Sequence, residues 1–274
     1  MNQMGIHGLN EDKPLFTAWL AAEQCAFKDG TGVYCWRLDW ACSDDVLDEW
    51  ALHLRRHYIS DDVLEHRVVA RQTTPGQYLP LRVVPDIPSI RSGDFAEILI
   101  SDVLQYLYGL VVPRYKQCNR KDKNASEHGS DVIAYQLKNL NGISNSDKLF
   151  IFEVKSNASK TSDAEFIKTV KKATKDSKKD PNRVPMTLQY MIDEATDVND
   201  QTTQKNLQRF TDMGGSPYQK IFGSAVATSH VKPIDVLSCK APTDVGLSVF
   251  SPLIVVHASK LMDLVNSLYG RMTQ

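Results

Sequence analysis

The residues with the clearest chemical potential end one apolar stretch, residues 149–156 (LFIFEVKS). Side chains alternate between the two faces of a strand, and both faces of this stretch are apolar until Glu153 and Lys155. The pattern predicts a strand buried on both sides and ending in two opposite charges. An isolated charge there is costly to desolvate, so a metal ion and a substrate anion would together explain both residues. An ordinary ion pair at a strand end is the alternative interpretation.

A second strand candidate, residues 129–137, brings another charge towards this pair. Asp131 is its first charged residue, and the dipeptide Asn141-Gly142 in the following loop is typical of a tight turn. A hairpin folded about that dipeptide sets position 131 opposite about position 154. The register therefore predicts that Asp131 lies beside Glu153 and Lys155, although an error of one residue would exchange the faces.

A further acidic residue, Glu97, lies on a helix predicted from residue 94 to about residue 109, where apolar residues recur at helical spacing. Glu97 follows Asp94 by three positions, which is also the spacing of a capping box at a helix N-terminus. The residues alone leave the capping and the functional interpretations open.

Carboxylates and a lysine that converge at one sheet edge suit a divalent cation with hard oxygen ligands, Mg²⁺ or Mn²⁺. The chemistry that fits this set is phosphodiester hydrolysis, in which the ion polarises the phosphate and acidifies a bound water. The lysine would orient that water or offset negative charge in the transition state. Such a reaction requires no Ser or Cys nucleophile.

Positive charge is concentrated locally, although the net charge of the chain is only −1. The polar loop of residues 114–128 contains Lys116 and Arg120, which could contact phosphates or simply be solvated. A helix predicted over residues 162–180 presents a basic face made of Lys168, Lys171, Lys172, Lys175 and Lys179. For this face too, a solvated surface and a DNA or partner contact remain alternatives.

The acidic residues and the lysine together resemble the D-(x)n-E-x-K pattern of the PD-(D/E)xK, or restriction-endonuclease-like, nucleases. The proline of that name is absent, because Ser130 precedes Asp131. A closer resemblance is to the nuclease subunit of Hachiman-type anti-phage defence systems. It is carried by residues 91–99 (RSGDFAEIL), 128–131 (HGSD) and 152–156 (FEVKS).

The resemblance implies a role for each matching position. Asp131, Glu153 and the backbone carbonyl of Val154 would bind the metal, Glu97 would be a further acid at or near it, and Lys155 would be the catalytic lysine. It also implies a DNA substrate and a separate superfamily 2 helicase that restrains the nuclease until activated. Two alternatives are a catalytically silent scaffold that binds DNA or the helicase, and a stand-alone restriction endonuclease.

The order of elements predicts an α/β (α+β) fold, with a mixed central sheet flanked by helices. The resemblance implies that the core of this fold is restriction-endonuclease-like. The nuclease domain would occupy residues 91–274, with strands at 223–228 and 253–257 and a closing helix at 259–269. Between them, a helical stretch over residues 187–210 is predicted to be interrupted near residues 197–203.

Residues 1–90 are predicted to form an N-terminal α+β extension that docks the partner. Strands are predicted at residues 32–40, 65–70 and 78–84, a helix up to about residue 58, and a linker at Pro85 to Pro88. His53 and His57 have a metal-compatible spacing on that helix, but the sequence offers no evident third ligand, which favours two exposed histidines.

Several function classes are disfavoured. The five cysteines are odd in number and form no C-x-x-C pair, which argues against a disulfide scaffold or a cysteine zinc site and for a reducing cytoplasm. No apolar run approaches the roughly 20 residues needed to cross a bilayer. No G-x-x-x-x-G-K-[ST] motif is present, so we expect no ATP binding by this chain.

Overall fold

The computed structural model describes residues 12–118, 120–125, 129–139, 142–211, 218–248 and 250–273. Its strands are β1 (Leu20–Ala26), β2 (Gly32–Leu38), β3 (Val132–Gln136), β4 (Lys148–Asn157), β5 (Gln219–Thr228) and β6 (Leu253–His257). They form one sheet in the order β1-β2-β6-β5-β4-β3. The two edge hairpins, β1–β2 and β3–β4, are antiparallel, and the inner pairs are parallel. The predicted mixed sheet is confirmed.

The helices are α1 (Asp44–Arg56), α2 (Asp61–Ala70), α3 (Pro75–Arg82), α4 (Pro88–Asp102), α5 (Asp163–Ser177), α6 (Asp180–Asp197), α7 (Gln201–Gln208), α8 (Pro233–Ser238) and α9 (Leu261–Arg271). Helices α1, α4 and α9 share a core with one face of the sheet. On the other face, α5 and α8 pack near β5 and β6, and α6 and α7 pack near β3 and β4. Strand β4 is therefore covered on both sides, as its sequence predicts.

Two predicted strands, at residues 65–70 and 78–84, are wrong, because residues 65–70 lie in helix α2 and residues 78–82 lie in helix α3. Ser60 caps α2 by accepting a hydrogen bond from the Val63 backbone N–H. Helix α3 starts with a capping box between Thr74 and Gln77, and Pro75 occupies its first turn. Local capping therefore outweighs the β-branched and aromatic residues that favoured strands.

The start of α4 also differs from the prediction. Pro88, which was assigned to a linker, is the first residue of α4, where a missing N–H costs no hydrogen bond. Asp94 is consequently a buried interior residue rather than an N-cap, and the capping interpretation of Glu97 is wrong. The predicted helix over residues 162–180 ends at Ser177, and α6 begins at Asp180.

The histidines of α1 are buried, contrary to the prediction that they are exposed. His53 and His57 are 6% and 1% accessible, because their face of α1 packs towards the end of α4. Asp102, the last residue of α4, lies 3.1 Å from His53 Nε2. His257 on β6 is also buried, and its Nε2 lies 2.8 Å from Glu23 Oε2.

The sheet and its largest core draw residues from both sides of position 90. Strand β2 pairs with β6 from Tyr34 opposite Ile254 to Arg37 opposite His257. Trp50 of α1 belongs to the same core cluster as Leu264 of α9. This packing does not bear on the predicted docking role of residues 1–90, which stays a prediction. Within the described ranges, no helix combines the length and apolarity required to cross a membrane.

Candidate active site

The β3–β4 hairpin sets the position of Asp131. Val132 pairs with Phe152, so Asp131 falls opposite Glu153, one residue earlier than predicted. Its side chain nevertheless reaches the next residue, because Asp131 Oδ2 accepts a hydrogen bond of 2.9 Å from the Val154 backbone N–H. The prediction depended on a turn centred on Asn141-Gly142, of which Asn141 lies outside the described residues.

Glu97, Asp131 and Glu153 form what we call the carboxylate cluster, and two lysines connect its members. Lys116 Nζ lies 2.8 Å from Asp131 Oδ1 and 3.0 Å from Glu97 Oε2. Lys155 Nζ donates to Glu153 Oε1 and lies 3.7 Å from Asp131 Oδ2. The four residues predicted from the sequence as catalytic are therefore brought together, from helix α4, the residue before β3, and β4.

Burial dominates the electrostatics of Glu97. It raises the pKa of this carboxyl to about 8, while Lys116 opposes the rise and Asp131 adds to it. Gln117 Nε2 donates to Glu97 Oε2 at 3.0 Å, so the carboxyl is held in one orientation. Without a further positive charge, Glu97 therefore retains its proton more readily than an exposed glutamate.

The other two acids differ from each other. Burial alone would raise the pKa of Asp131, but the neighbouring charges of Lys116 and Lys155 outweigh it, so the pKa is lowered. Burial and the charge of Asp131 raise the pKa of Glu153 despite its contact with Lys155. The cluster thus contains one strongly anionic carboxylate between two acids that resist ionisation, which is an arrangement that a divalent cation would relieve.

Lys116 and Arg120 have buried side chains, so the interpretation of both as solvated loop residues is wrong. Their side chains are 9% and 4% exposed. Arg120 makes a bidentate pair with Asp94, at 2.8 and 2.9 Å, and Tyr58 donates to the same carboxylate. Arg120 therefore contributes to the interior rather than to a phosphate-contacting surface.

Three residues that the sequence did not single out complete the surroundings of the cluster. Arg183 of α6 donates to Glu153 Oε2 at 3.1 Å, and Asp176 of α5 lies 3.8 Å from Lys155 Nζ. Asp180 is fully buried and accepts a hydrogen bond from Ser130 Oγ at 3.0 Å. These residues come from the start of α6 and the end of α5, where a helix break brings them together. Pro181, in the first turn of α6, is the local sequence signal for that break.

The predicted basic face is exposed at all five lysines: Lys168, Lys171, Lys172 and Lys175 of α5, and Lys179, which is the N-cap of α6. Lys168 pairs with Glu165 at 3.4 Å, and Lys179 pairs with Asp176 at 2.7 Å. Because Asp176 also approaches Lys155, the basic face ends beside the carboxylate cluster. This position is compatible with a DNA backbone that crosses α5 to reach the cluster, and it is equally that of a solvated helix face.

The donor set fits a divalent cation with hard oxygen ligands. Glu97 and Asp131 each direct one oxygen at the same Lys116 Nζ, so two anionic oxygens already converge on one cationic position. Carboxylate oxygens are the ligands that Mg²⁺ and Mn²⁺ prefer. The metal-binding role of the Val154 carbonyl stays a prediction.

Comparison with known families identifies the family of the chain. A sequence model of the family described as HamA matches residues 13–272. The chain belongs to the HamA family. The predicted resemblance to the Hachiman-type subunit is thereby confirmed, and HamA membership indicates a role in Hachiman-type defence. The likeness of this HamA chain to PD-(D/E)xK nucleases remains a resemblance in its motif. No curated protein matches the chain.

Proposed function

We propose that this HamA-family chain is a Mg²⁺- or Mn²⁺-dependent deoxyribonuclease. It would act as the effector of a Hachiman-type defence system, together with a separate superfamily 2 helicase. The observation that carries the proposal is the convergence of Glu97, Asp131, Glu153 and Lys155 at one end of the β3–β4 hairpin.

Asp131, Glu153 and Glu97 would hold the ion, with the Val154 carbonyl as an additional oxygen. The ion would supply a Lewis acid for the scissile phosphate and a lowered pKa for a bound water. Removing the acids' charge should therefore remove both effects together, while the hydrophobic packing of β4 is retained.

The chain's own side chains have separate tasks in this proposal. Lys155 lies between Glu153 and Asp131, where its ammonium group can orient a water or offset charge on the phosphate. Arg183 has a side chain that is 35% exposed, so its guanidinium is able to contact a phosphate oxygen as well as Glu153. The exposed lysines of α5 would contact the DNA backbone and would contribute affinity without sequence preference.

A second candidate function is a catalytically silent scaffold for DNA or for the helicase. The observation that favours it is Lys116, whose ammonium group already neutralises Glu97 and Asp131. In a nuclease that uses these acids as ligands, the Lys116 ammonium must shift when the ion binds. In a scaffold it would stay in place, and the cluster would bind no divalent ion.

Cleavage of supercoiled plasmid DNA tests the proposal. The wild-type chain is compared with Glu153→Ala, Lys155→Ala and, as a matched surface control, Lys205→Ala, each with Mg²⁺ or Mn²⁺ and with or without the helicase and ATP. We expect metal-dependent nicking by the wild type and the control, and none by the other two variants. Cleavage retained in both site variants would refute the assignment of the site, and silence of the wild type under every condition would favour the scaffold.

A further inference from the structure

A second cluster of ionisable side chains lies where α1 meets the end of α4, apart from the carboxylate cluster. It consists of His53 from α1, His57 at the C-cap of α1, and Asp102 from α4, and we call it the histidine cluster. All three residues are buried, and Asp102 is fully inaccessible to solvent. A buried group of this kind needs a specific partner for each polar atom, because every unsatisfied atom costs free energy.

The contacts of His53 Nε2 are difficult to satisfy with hydrogen bonds alone. This atom lies 3.1 Å from Asp102 Oδ1 and 3.3 Å from His57 Nε2. An imidazole nitrogen carries either one proton or one lone pair, so it cannot donate to both neighbours with good geometry. If His53 Nε2 instead accepts a hydrogen bond from His57, its lone pair also faces the carboxylate oxygen of Asp102. One cation among the three atoms removes this conflict, because it accepts all three lone pairs.

The distances match those between the ligands of a tetrahedral ion. Zinc binds imidazole nitrogen and carboxylate oxygen at about 2.0–2.1 Å, so neighbouring ligand atoms of a tetrahedron lie about 3.3 Å apart. The observed separations of 3.1 and 3.3 Å agree with that value, and all three ligand atoms lie within 4.8 Å of one another. The converging atoms therefore already have the spacing of a coordination sphere.

Two carboxylate oxygens at this place also lack a hydrogen-bond partner among the described residues. They are Asp102 Oδ2 and Glu49 Oε2, and both are buried atoms. Glu49 precedes His53 by four positions, so the two residues lie on the same face of α1. Burial raises the pKa of Glu49, and the charges of His53 and Asp102 also act on it. A fourth donor is thus available next to the three converging atoms.

Arg114 fixes the orientation of the acidic ligand. Its Nη2 lies 2.9 Å from Asp102 Oδ1, and its guanidinium also donates to Gln105 Oε1. Ligating carboxylates are usually hydrogen-bonded in this way by groups outside the coordination sphere.

We propose that His53, His57 and Asp102 bind a structural zinc ion, with Glu49 as the fourth ligand. Two imidazoles and a carboxylate prefer zinc or a related transition metal to Mg²⁺. The depth of burial excludes a substrate position, so the ion is structural. It joins α1 to the end of α4, the helix that also carries Glu97. The proposal does not depend on nuclease activity.

Elemental analysis of the tag-free, full-length chain, purified without chelators, tests this site. We expect about one zinc per chain after dialysis, and less than about a tenth of that in His53→Gln and in His57→Gln. His66→Gln is the matched control, because His66 is an exposed histidine on the neighbouring helix α2. Asp131→Asn should retain the zinc, which separates this site from the carboxylate cluster. A wild-type chain without bound zinc, and without zinc uptake on titration, would overturn the proposal.

Cobalt substitution keeps the test decisive if a histidine variant fails to fold. The wild-type chain loaded with Co²⁺ should show the intense visible absorption of a four-coordinate site, and Glu49→Gln should alter that spectrum while circular dichroism reports an unchanged fold. An octahedral, weakly absorbing spectrum in the wild type would contradict a four-coordinate buried site. A spectrum unaffected by Glu49→Gln would exclude Glu49 as the fourth ligand.

Discussion

Helix α4 contributes Glu97 to the carboxylate cluster and Asp102 to the histidine cluster, and the two clusters balance charge differently. In the first, oxygen donors meet cations that the chain itself supplies, Lys116 and Lys155. In the second, two imidazoles meet a carboxylate within one small volume, and Arg114 contacts that carboxylate from outside.

The difference concerns what each cluster requires in order to be stable. The lysines allow the carboxylate cluster to exist without a metal, so a divalent ion bound there would be exchangeable, as the proposed catalytic role requires. The histidine cluster has no comparable internal cation among its three converging atoms. A permanently bound ion would satisfy the oxygens of Asp102 and the neighbouring Glu49 that lack a hydrogen-bond partner among the described residues. The carboxylate cluster offers only hard oxygen ligands, whereas the histidine cluster offers imidazole nitrogens of intermediate hardness. The two clusters should therefore select different ions.

The largest expected effect is that of Asp131→Asn on cleavage. This substitution keeps the shape of the side chain but removes the charge that contacts Lys116 and Lys155. We expect the rate of DNA cleavage to fall by a factor of at least about 100, in line with the loss of a charge that acts in the transition state. Gel-based initial rates at saturating Mn²⁺ measure it. A rate within threefold of the wild type would remove Asp131 from the site.

Replacing Lys116, the cation that Glu97 and Asp131 share, should make the stability of the carboxylate cluster depend on a divalent ion. In Lys116→Met, Glu97 and Asp131 lose their shared cation, so the free energy of unfolding in a chelator should fall by about 3 kcal/mol. Mn²⁺ should restore much of the lost free energy of unfolding, since the ion would occupy the position of the Lys116 ammonium group. Urea denaturation with and without Mn²⁺ checks this. Equal destabilisation in both conditions would indicate that Lys116 only fills space and that the cluster binds no ion.

The fold could be predicted from the sequence where local pattern and burial agree. Strand β4 is apolar on both faces and is buried on both faces, and β6 is likewise an apolar run at the centre of the sheet. The meeting of Asp131 with Glu153 follows from the hairpin, although the register is shifted by one residue. In these elements, side-chain periodicity and turn residues carry the necessary information.

Contacts between distant segments could not be predicted in the same way. His53 and Asp102 are 49 positions apart and belong to different helices, so the third member of the histidine cluster has no local signal. Lys116 and Arg120 look like solvated loop residues, yet each pairs with an acid of α4. Their burial depends on the packing of the segment after α4 against that helix, which charge patterning does not encode.

A smaller effect, on the pH dependence of folding stability, should come from Asp180. Burial, with the charges of Glu153 and Asp131, raises the pKa of this carboxyl to about 7, although the Ser130 hydroxyl lowers it. The folded chain therefore holds the proton more tightly than the unfolded chain. This contribution to stability is complete below about pH 4 and is lost as the pH rises through about 7.

Substitution of Asp180 by asparagine should remove that loss. We expect Asp180→Asn to be more stable than the wild type by about 2 kcal/mol near pH 8, and to differ much less from it near pH 4. Guanidinium denaturation across this pH range measures the difference. A constant offset between the two chains at every pH would show that Asp180 is ionised to the same extent in the folded and unfolded states.

The smallest expected effect concerns the basic face of α5. If Lys171 and Lys175 each neutralise one phosphate, Lys171→Gln with Lys175→Gln should reduce the salt dependence of DNA binding by a slope of about 1.4–1.8 in log Kd against log salt. Lys205→Gln with Lys260→Gln is the matched control, because both lysines are exposed and lie outside α5. Equal slopes for the two double variants would identify the α5 face as merely solvated.

The most direct test of the carboxylate cluster is Mn²⁺ binding to the zinc-loaded chain, followed by electron paramagnetic resonance of the free ion. We expect at least one Mn²⁺ site in the wild type that is lost in Asp131→Asn and in Glu153→Ala but retained in His66→Gln. Such a result would establish a separate, exchangeable site at the carboxylate cluster. Equal Mn²⁺ binding by all four chains, or none by the wild type, would contradict the central claim that Glu97, Asp131 and Glu153 form one site for a catalytic divalent ion.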